Sequence, residues 1–332
     1  MNANQKYRLN SYLTPDFKFS SPCYFSLQVP PGDGGSNHNT LGITFTMLVI
    51  SGYIVIILSV FGGFALAGGH LASLWQPVEI LMIGGGAIGA FIVGNSSKAI
   101  RATLKTLPSV LKGAKYSKAV YMELMTLLYD ILGKIRKEGL MSIEDDVDNP
   151  EISPLFSKYP TILADHHVTE FLTDYLRLMV SGNLNTMEIE NLMDSELETH
   201  HQEGEVPIHT VAKLGDGLPA FGIIAAVMGV VHTMESVHLP PAELGVLIAA
   251  ALVGTFLGIL LAYGFVSPLA GKLEHQLHES TKLLECIKIT LLANLNGYSP
   301  ALAVEFGRKV LFSTERPSFK ELEDHVKESK ST

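Results

Sequence analysis

Apolar positions along the chain follow two patterns. In four stretches they are nearly unbroken: roughly Ile43 to Leu66, Val78 to Gly94, Leu214 or Leu218 to His232, and Leu244 to Val266. Each is apolar on every side, without period-two alternation, and long enough to approach the about 20 helical residues that cross a ~30 Å hydrocarbon layer. Four membrane helices are predicted. Elsewhere the pattern is periodic. Val120, Leu124, Leu127, Leu128, Ile131 and Ile135 recur at helical spacing, as do Phe171, Leu172, Tyr175, Leu176 and Leu178. Leu273, Leu277, Leu284, Ile287 and Ile289 extend the fourth apolar run into a long amphipathic helix. Nothing alternates as strands do. The predicted fold class is all-α: a polytopic membrane protein with four transmembrane helices and a helical cytoplasmic domain.

Composition supports the same class. Only 17% of the 332 residues are charged, against about 25% in an ordinary soluble domain. The deficit lies in runs without Asp, Glu, Lys or Arg, from Thr40 to Val78, Gly217 to Met234 and Leu244 to Ala270. A net charge of -9 argues against a nucleic-acid partner. Cys23 and Cys286 are too few and too far apart for a disulfide framework or a thiolate metal site.

Orientation follows from the basic residues. The connections Ala67–Pro77 and Thr233–Glu243 have neither Lys nor Arg, whereas Lys98, Arg101, Lys105, Lys112, Lys115 and Lys118 follow the second run. The positive-inside rule makes that side cytoplasmic, with both termini on it. The organisation expected is an extension over 1–46, membrane helices 1–2 over 47–96 and a cytoplasmic domain over 97–213. Membrane helices 3–4 follow over 214–267, then a cytoplasmic helix and tail over 268–332. The extension contains the linker-like run Pro30–Ser36 and too little apolar sequence for a core. It reads either as a flexible tail or as a start assigned too early, the second being preferred.

Candidate chemistry is sparse. Ion transport needs an ionisable or coordinating group deep in the membrane. The interiors of runs 1, 3 and 4 have none, and Glu79 is placed near the outer mouth of run 2. A protonatable carboxylate is therefore expected from a partner chain. Small residues four apart (Gly85/Gly89, Ala225/Gly229, Gly254/Gly258) permit close helix packing, within this chain or against another. Pro219, after Gly215-Asp216-Gly217, reads as a helix start. Pro268 would kink a helix continuing from the fourth run, at the membrane surface. Lys134, Arg136 and Lys137 precede Glu144, Asp145 and Asp146, an alternation of charge that could dock a partner. Asp194, Glu196, Glu198, Glu203 and Glu205 read as a solvated face. His166, His167, His200, His201, His275 and His278 lack metal-site spacing, and no nucleotide loop or nucleophile elbow is present. Neither an enzyme nor a cofactor or metal protein is indicated.

The run Gly217–Val231 (GLPAFGIIAAVMGVV) resembles the third membrane helix of the MotA family of flagellar motor stator subunits. Gly254–Leu269 (GTFLGILLAYGFVSPL) resembles the fourth. Tyr159-Pro160 with Leu163-Ala164-Asp165, Asp174–Leu178, and Asn296-Gly297-Tyr298 followed by Val304–Lys309 are similar to its cytoplasmic stretches. The likeness covers Met47 to about Val326, and nothing before Met47 shares it. The resemblance implies a bacterial inner-membrane stator, with five copies around two MotB-like chains that supply the membrane aspartate. Ion flow would turn the ring and push on the rotor protein FliG. It also implies rotor contact through Arg136 and Glu144, with Glu196 a weaker third, and coupling of ion flow to shape through Pro219 and Pro268. Sodium-driven relatives look to carry a Thr where this chain has Ala226. With Thr255 retained, the ion path lined by Ala226 and Thr255 points to protons, sodium being the alternative. Transducers of the ExbB/TolQ type, a second alternative, look to have three membrane helices rather than four.

Overall fold

A computed structural model describes residues 38–112, 115–182 and 185–331, without the side chains of 38–46, 111–112 and 329–331. The question of a tail or an early start over 1–46 thus lies outside the described residues, except that 38–46 are helical. Every regular element among the described residues is a helix. α1 (His38–Ile57) continues through a π turn, Leu58–Gly62, to Leu66. α2 (Pro77–Gly94) and α3 (Ser97–Thr106) follow, then α4 (Lys118–Glu138) and α5 (His166–Ser181). α6 (Thr186–Glu235) is one 50-residue helix. α7 (Pro241–Ile259) passes through a π stretch, Leu260–Val266, into α8 (Ser267–Leu295). α9 (Pro300–Val310) and α10 (Phe319–Ser331) end the chain. Four helices are long and apolar enough to cross a membrane: Met47–Leu66, Leu71–Gly94, α6, and the continuous Pro241–Leu295.

The expected start of the third membrane helix needs correction. Gly215-Asp216-Gly217 and Pro219 do not start a helix, because α6 runs through both Pro207 and Pro219. In an isolated helix a glycine costs about 1 kcal/mol and a proline about 3. Here tertiary contact reverses the reading. A Cβ on Gly215 would lie 3.1 Å from the Ser267 hydroxyl oxygen, and one on Gly222 would lie 2.9 Å from the Gly254 carbonyl oxygen. These glycines bring helices together rather than end one. The true start is Asn185, whose side chain accepts from the Glu188 N–H while the Glu188 carboxylate accepts from the Asn185 N–H, both at 2.9 Å. That capping box fixes the first turn.

Outside the membrane runs, α4, α5, α8 and α9 enclose one core. Leu124, Leu128, Ile131, Leu172, Leu176 and Ile287 are fully buried in it, each contributing roughly 1.5–3 kcal/mol. Ile135 and Leu178 pack at its margin. α4 stops at Gly139, where φ is +90°, the break that turns the chain back under the basic cluster. α10 is seated by Leu322 and Val326, and Lys118 beside Glu321 holds that carboxyl down to about 2. Since both ends of this ion pair are half exposed, it contributes below about 1 kcal/mol and the apolar pair does the seating.

Among the described residues of the membrane runs, backbones approach closely where α6 and α7 meet. α6 and α7 cross at Gly222, Gly229, Gly254 and Gly258. A Cβ on Gly258 would lie 2.8 Å from the Leu218 carbonyl oxygen, and one on Gly229 would lie 2.6 Å from the Ala251 Cβ. Lipid offers no hydrophobic force between helices, so close van der Waals contact supplies the association. α2 joins through Gly86, which Phe221 covers. By contrast a Cβ on Gly85 or Gly89 would meet open space. Of the three small-residue spacings, two are used inside the chain and one faces away from it.

Gly222→Ala, which drives a methyl into backbone, is expected to destabilise the chain by about 1–3 kcal/mol. Gly85→Ala, which meets open space, is expected to leave it unchanged or to stabilise it by up to about 1 kcal/mol. Thermal unfolding in detergent, followed by circular dichroism, separates the two. Equal melting temperatures would contradict the crossing described.

Candidate functional site

The α6–α7 crossing holds the residues expected along an ion path. Ala226 and Thr255 are half buried there. The Ala226 nitrogen lies 3.4 Å from the position of a Cβ on Gly254, and the Thr255 Cα lies 3.5 Å from that of a Cβ on Gly222. The unexpected member is Glu79. It belongs to the first turn of α2, where the helix dipole favours a carboxylate, but its side chain does not face outward. Its side chain is 7% exposed and enters the seam, with Oε2 2.8 Å from the Cβ position of Gly254. Gly254 is central in the run Leu244–Val266, about 15 Å along the helix from its start at 1.5 Å per residue. Oε2 is buried and has no hydrogen-bond partner. The seam between α2, α6 and α7 therefore holds a buried carboxylate of this chain. Glycine at 254 makes the space for it, a tertiary fact with no sequence signal beyond an acidic residue at the edge of an apolar run.

A second constellation lies at one end of the crossing. Pro219 removes the N–H that would bond the Gly215 carbonyl, and Gly215 faces Ser267, the neighbour of Pro268. The two prolines thus flank one contact between α6 and α8. Pro268 falls in the first turn of α8, after the π stretch Leu260–Val266. Wider i→i−5 pairing there accommodates the missing donor, and the helix stays continuous from Pro241 to Leu295. Tyr53 of α1 holds this stretch from the side. Its ring stacks on Phe265 at 5.2 Å and its hydroxyl donates to the Phe265 carbonyl at 3.1 Å. Beside it, Gly52, Tyr53, Ile56, Pro268 and Leu269 line a groove of about 200 Å³.

The third constellation is outside the membrane. Lys134 donates to Asp146 at 2.6 Å, and Ser153 donates to the other Asp146 oxygen at 2.6 Å. Asp146 is buried, so the alternating patch expected of six charges is reduced to four. Arg136, Lys137, Glu144 and Asp145 remain exposed. The buried pair ties the end of α4 to the turn that carries Glu144. Glu196 is elsewhere, on α6, where it accepts from the Tyr175 hydroxyl at 2.6 Å. Burial first, and then Glu196 itself, push the Tyr175 phenol up. Asp194 binds the buried Lys288, so the acidic stretch is partly structural rather than a solvated face. His167 meets His200, and His201 meets His278, as ring pairs. Among the described residues no three potential metal ligands converge.

Residues 50–139 match the family described as Motility protein A N-terminal, and residues 163–286 match the MotA/TolQ/ExbB proton channel family. The chain is 58% identical to Motility protein A of Salmonella typhimurium over 281 residues, 85% of this chain and 95% of that one. It belongs to the motility protein A family. Motility protein A of Escherichia coli is 56% identical over 86% of this chain and 97% of its own. Chemotaxis protein LafT of Vibrio parahaemolyticus is 35% identical over 83% of this chain and 97% of its own. Two solved structures share the fold. One, titled "Structure of C. jejuni MotAB", has a TM-score of 0.69 at 21% identity, covering 82% of this chain and 98% of that chain. The other, of the flagellar MotAB stator complex from Bacillus subtilis, has 0.67 at 24%, covering 81% and 98%. As a member of that family, this chain is a flagellar stator subunit of the membrane with a proton-channel-family domain. The family is one of channels and stators, not of enzymes.

Two substitutions test the supports of these constellations. Tyr53→Phe keeps the stack and loses the bond to the Phe265 carbonyl, an expected cost of about 0.5–1.5 kcal/mol in detergent unfolding. Asp146→Ala leaves Arg136 and Glu144 untouched but frees the turn between them. Swimming speed should fall at unchanged membrane levels of the protein, and unchanged speed would detach that turn from the function.

Proposed function

We propose that this chain surrounds a MotB-like partner in the bacterial inner membrane and converts proton flow into torque on the rotor. Both termini and the α4–α5–α8–α9 bundle lie in the cytoplasm, a placement supported by the basic residues after α2. The assembly proposed is five copies around two partner chains, which supply the membrane aspartate. Arg136 and Glu144 contact the rotor protein FliG, and Glu196 adds a weaker contact. The observation that carries this reading is mechanical. α6, and α7 with α8, run without interruption from the α6–α7 crossing into the bundle that displays Arg136 and Glu144. A shift at the crossing therefore moves the docking face as a lever does, and the flanked contact at Pro219 and Pro268 is where the lever bends. Proton rather than sodium use is supported by Ala226, which offers no hydroxyl to a dehydrated cation.

The test is swimming speed in a host without stators, given this chain and its MotB-like partner. The speed is measured with the proton gradient collapsed by an uncoupler and, separately, with sodium removed. Loss with the uncoupler and retention without sodium are expected. Loss on removing sodium would replace the proton reading by a sodium-driven stator. No swimming with both chains in the membrane would move the function to an envelope transducer of the ExbB/TolQ type.

A further inference from the structure

We propose that Glu79 is a proton-holding site of the ion path, supplied by this chain and occupied before the proton reaches the partner's carboxylate. The proposal rests on the stator reading above and extends it from one protonatable group to two. Ionisable side chains inside a membrane run are expensive, and they persist where they pair with one another or handle ions. Among the described residues Glu79 has no ion-pair partner. Its Oε2 is buried without a hydrogen-bond donor and points at the gap left by Gly254. A structural carboxylate would be tied down, as Asp146 is by Lys134 and Ser153.

Its surroundings narrow the role. Gly254 of α7 faces it directly, with Ala225 and Ala226 of α6 immediately behind. Neither helix presents a titratable group there. The nearest along these elements are Asp216, His232 and Glu235 of α6, Glu243 of α7, Tyr263 just beyond it and His70 ahead of α2, all exposed. No Lys, Arg or His of the described residues makes an ion pair with Glu79, so a fixed cation does not hold its charge. What fits is a transient one. Thr255 is the neighbour of Gly254, so the carboxyl sits beside the path that Ala226 and Thr255 line. It also begins α2 from the side opposite the basic residues, the side from which protons arrive.

The step balances simply. A proton from outside forms an O–H bond on the Glu79 carboxylate. That bond then breaks as the proton passes, directly or through water, to the partner's carboxylate, and Glu79 returns to the anion. Gly254 contributes by leaving the carboxyl room to move between the two.

The experiment uses the full complex with its MotB-like partner and compares native, Glu79→Gln and Glu79→Asp chains at equal membrane levels. Swimming speed is recorded against external pH. The isosteric Gln is expected to swim several-fold slower, most severely at alkaline pH where protons are scarce, and Asp to restore part of the speed. Gln with the native speed and pH profile would overturn the proposal, and so would Gln and Asp slowed equally with the profile unmoved. Native swimming is the control for the stator reading itself. A second readout does not depend on rotation: infrared difference spectra of the purified complex stepped between acid and alkaline pH. A protonated-carboxyl band missing from Glu79→Gln is expected, and a band identical in native and Gln complexes sinks the idea.

Discussion

Between apolar helices in lipid, burial gains nothing, since the tails are as apolar as leucine. What holds such helices is contact, and contact requires that backbones approach. In this chain that requirement is met at one crossing, where Gly222, Gly229, Gly254 and Gly258 remove the side chains that would keep α6 and α7 apart. The rest is arranged about it. α2 seats Gly86 under Phe221 and delivers Glu79 into the same seam. α1 and its continuation touch the assembly through Tyr53, through Ile56 beside Gly264 and through Phe61 against Phe256, while Leu48, Ile50, Ile54, Val55 and Leu58 are exposed.

The two helices of the crossing continue into a bundle governed by the opposite physics. There water drives leucine and isoleucine inward, and one core binds α4, α5, α8 and α9. Because α6 and α7–α8 belong to both regions, the seam and the bundle share helices that run through both. Helical continuity past proline is what this demands. The chain provides it at Pro268 with a π stretch braced by Tyr53, and at Pro219 with a glycine one turn earlier. Charge is treated differently in the two regions too. Outside the membrane a buried Asp146 has two donors; inside it, Glu79 has an oxygen with none.

The sequence by itself determined the class of protein: four apolar runs, their lengths, the all-helical pattern and the exposed Arg136 and Glu144. All of these follow from local periodicity and from the cost of charge in lipid, which any segment reports without its neighbours. The periodic run from Val120 to Ile135 is legible for the same reason, since each helix carries its own buried stripe. Tertiary structure decided what depended on a neighbour. Gly215 and Pro219 look like breakers until Ser267 and α7 are seen against them. Asp146 looks exposed until Lys134 and Ser153 close on it. Glu79 looks peripheral because its position along α2 is peripheral, and only the missing side chain of Gly254, some 175 residues away in the chain, lets its carboxyl reach the middle of the seam. A glycine has no pattern of its own to read; its meaning is the atom that occupies the space it leaves.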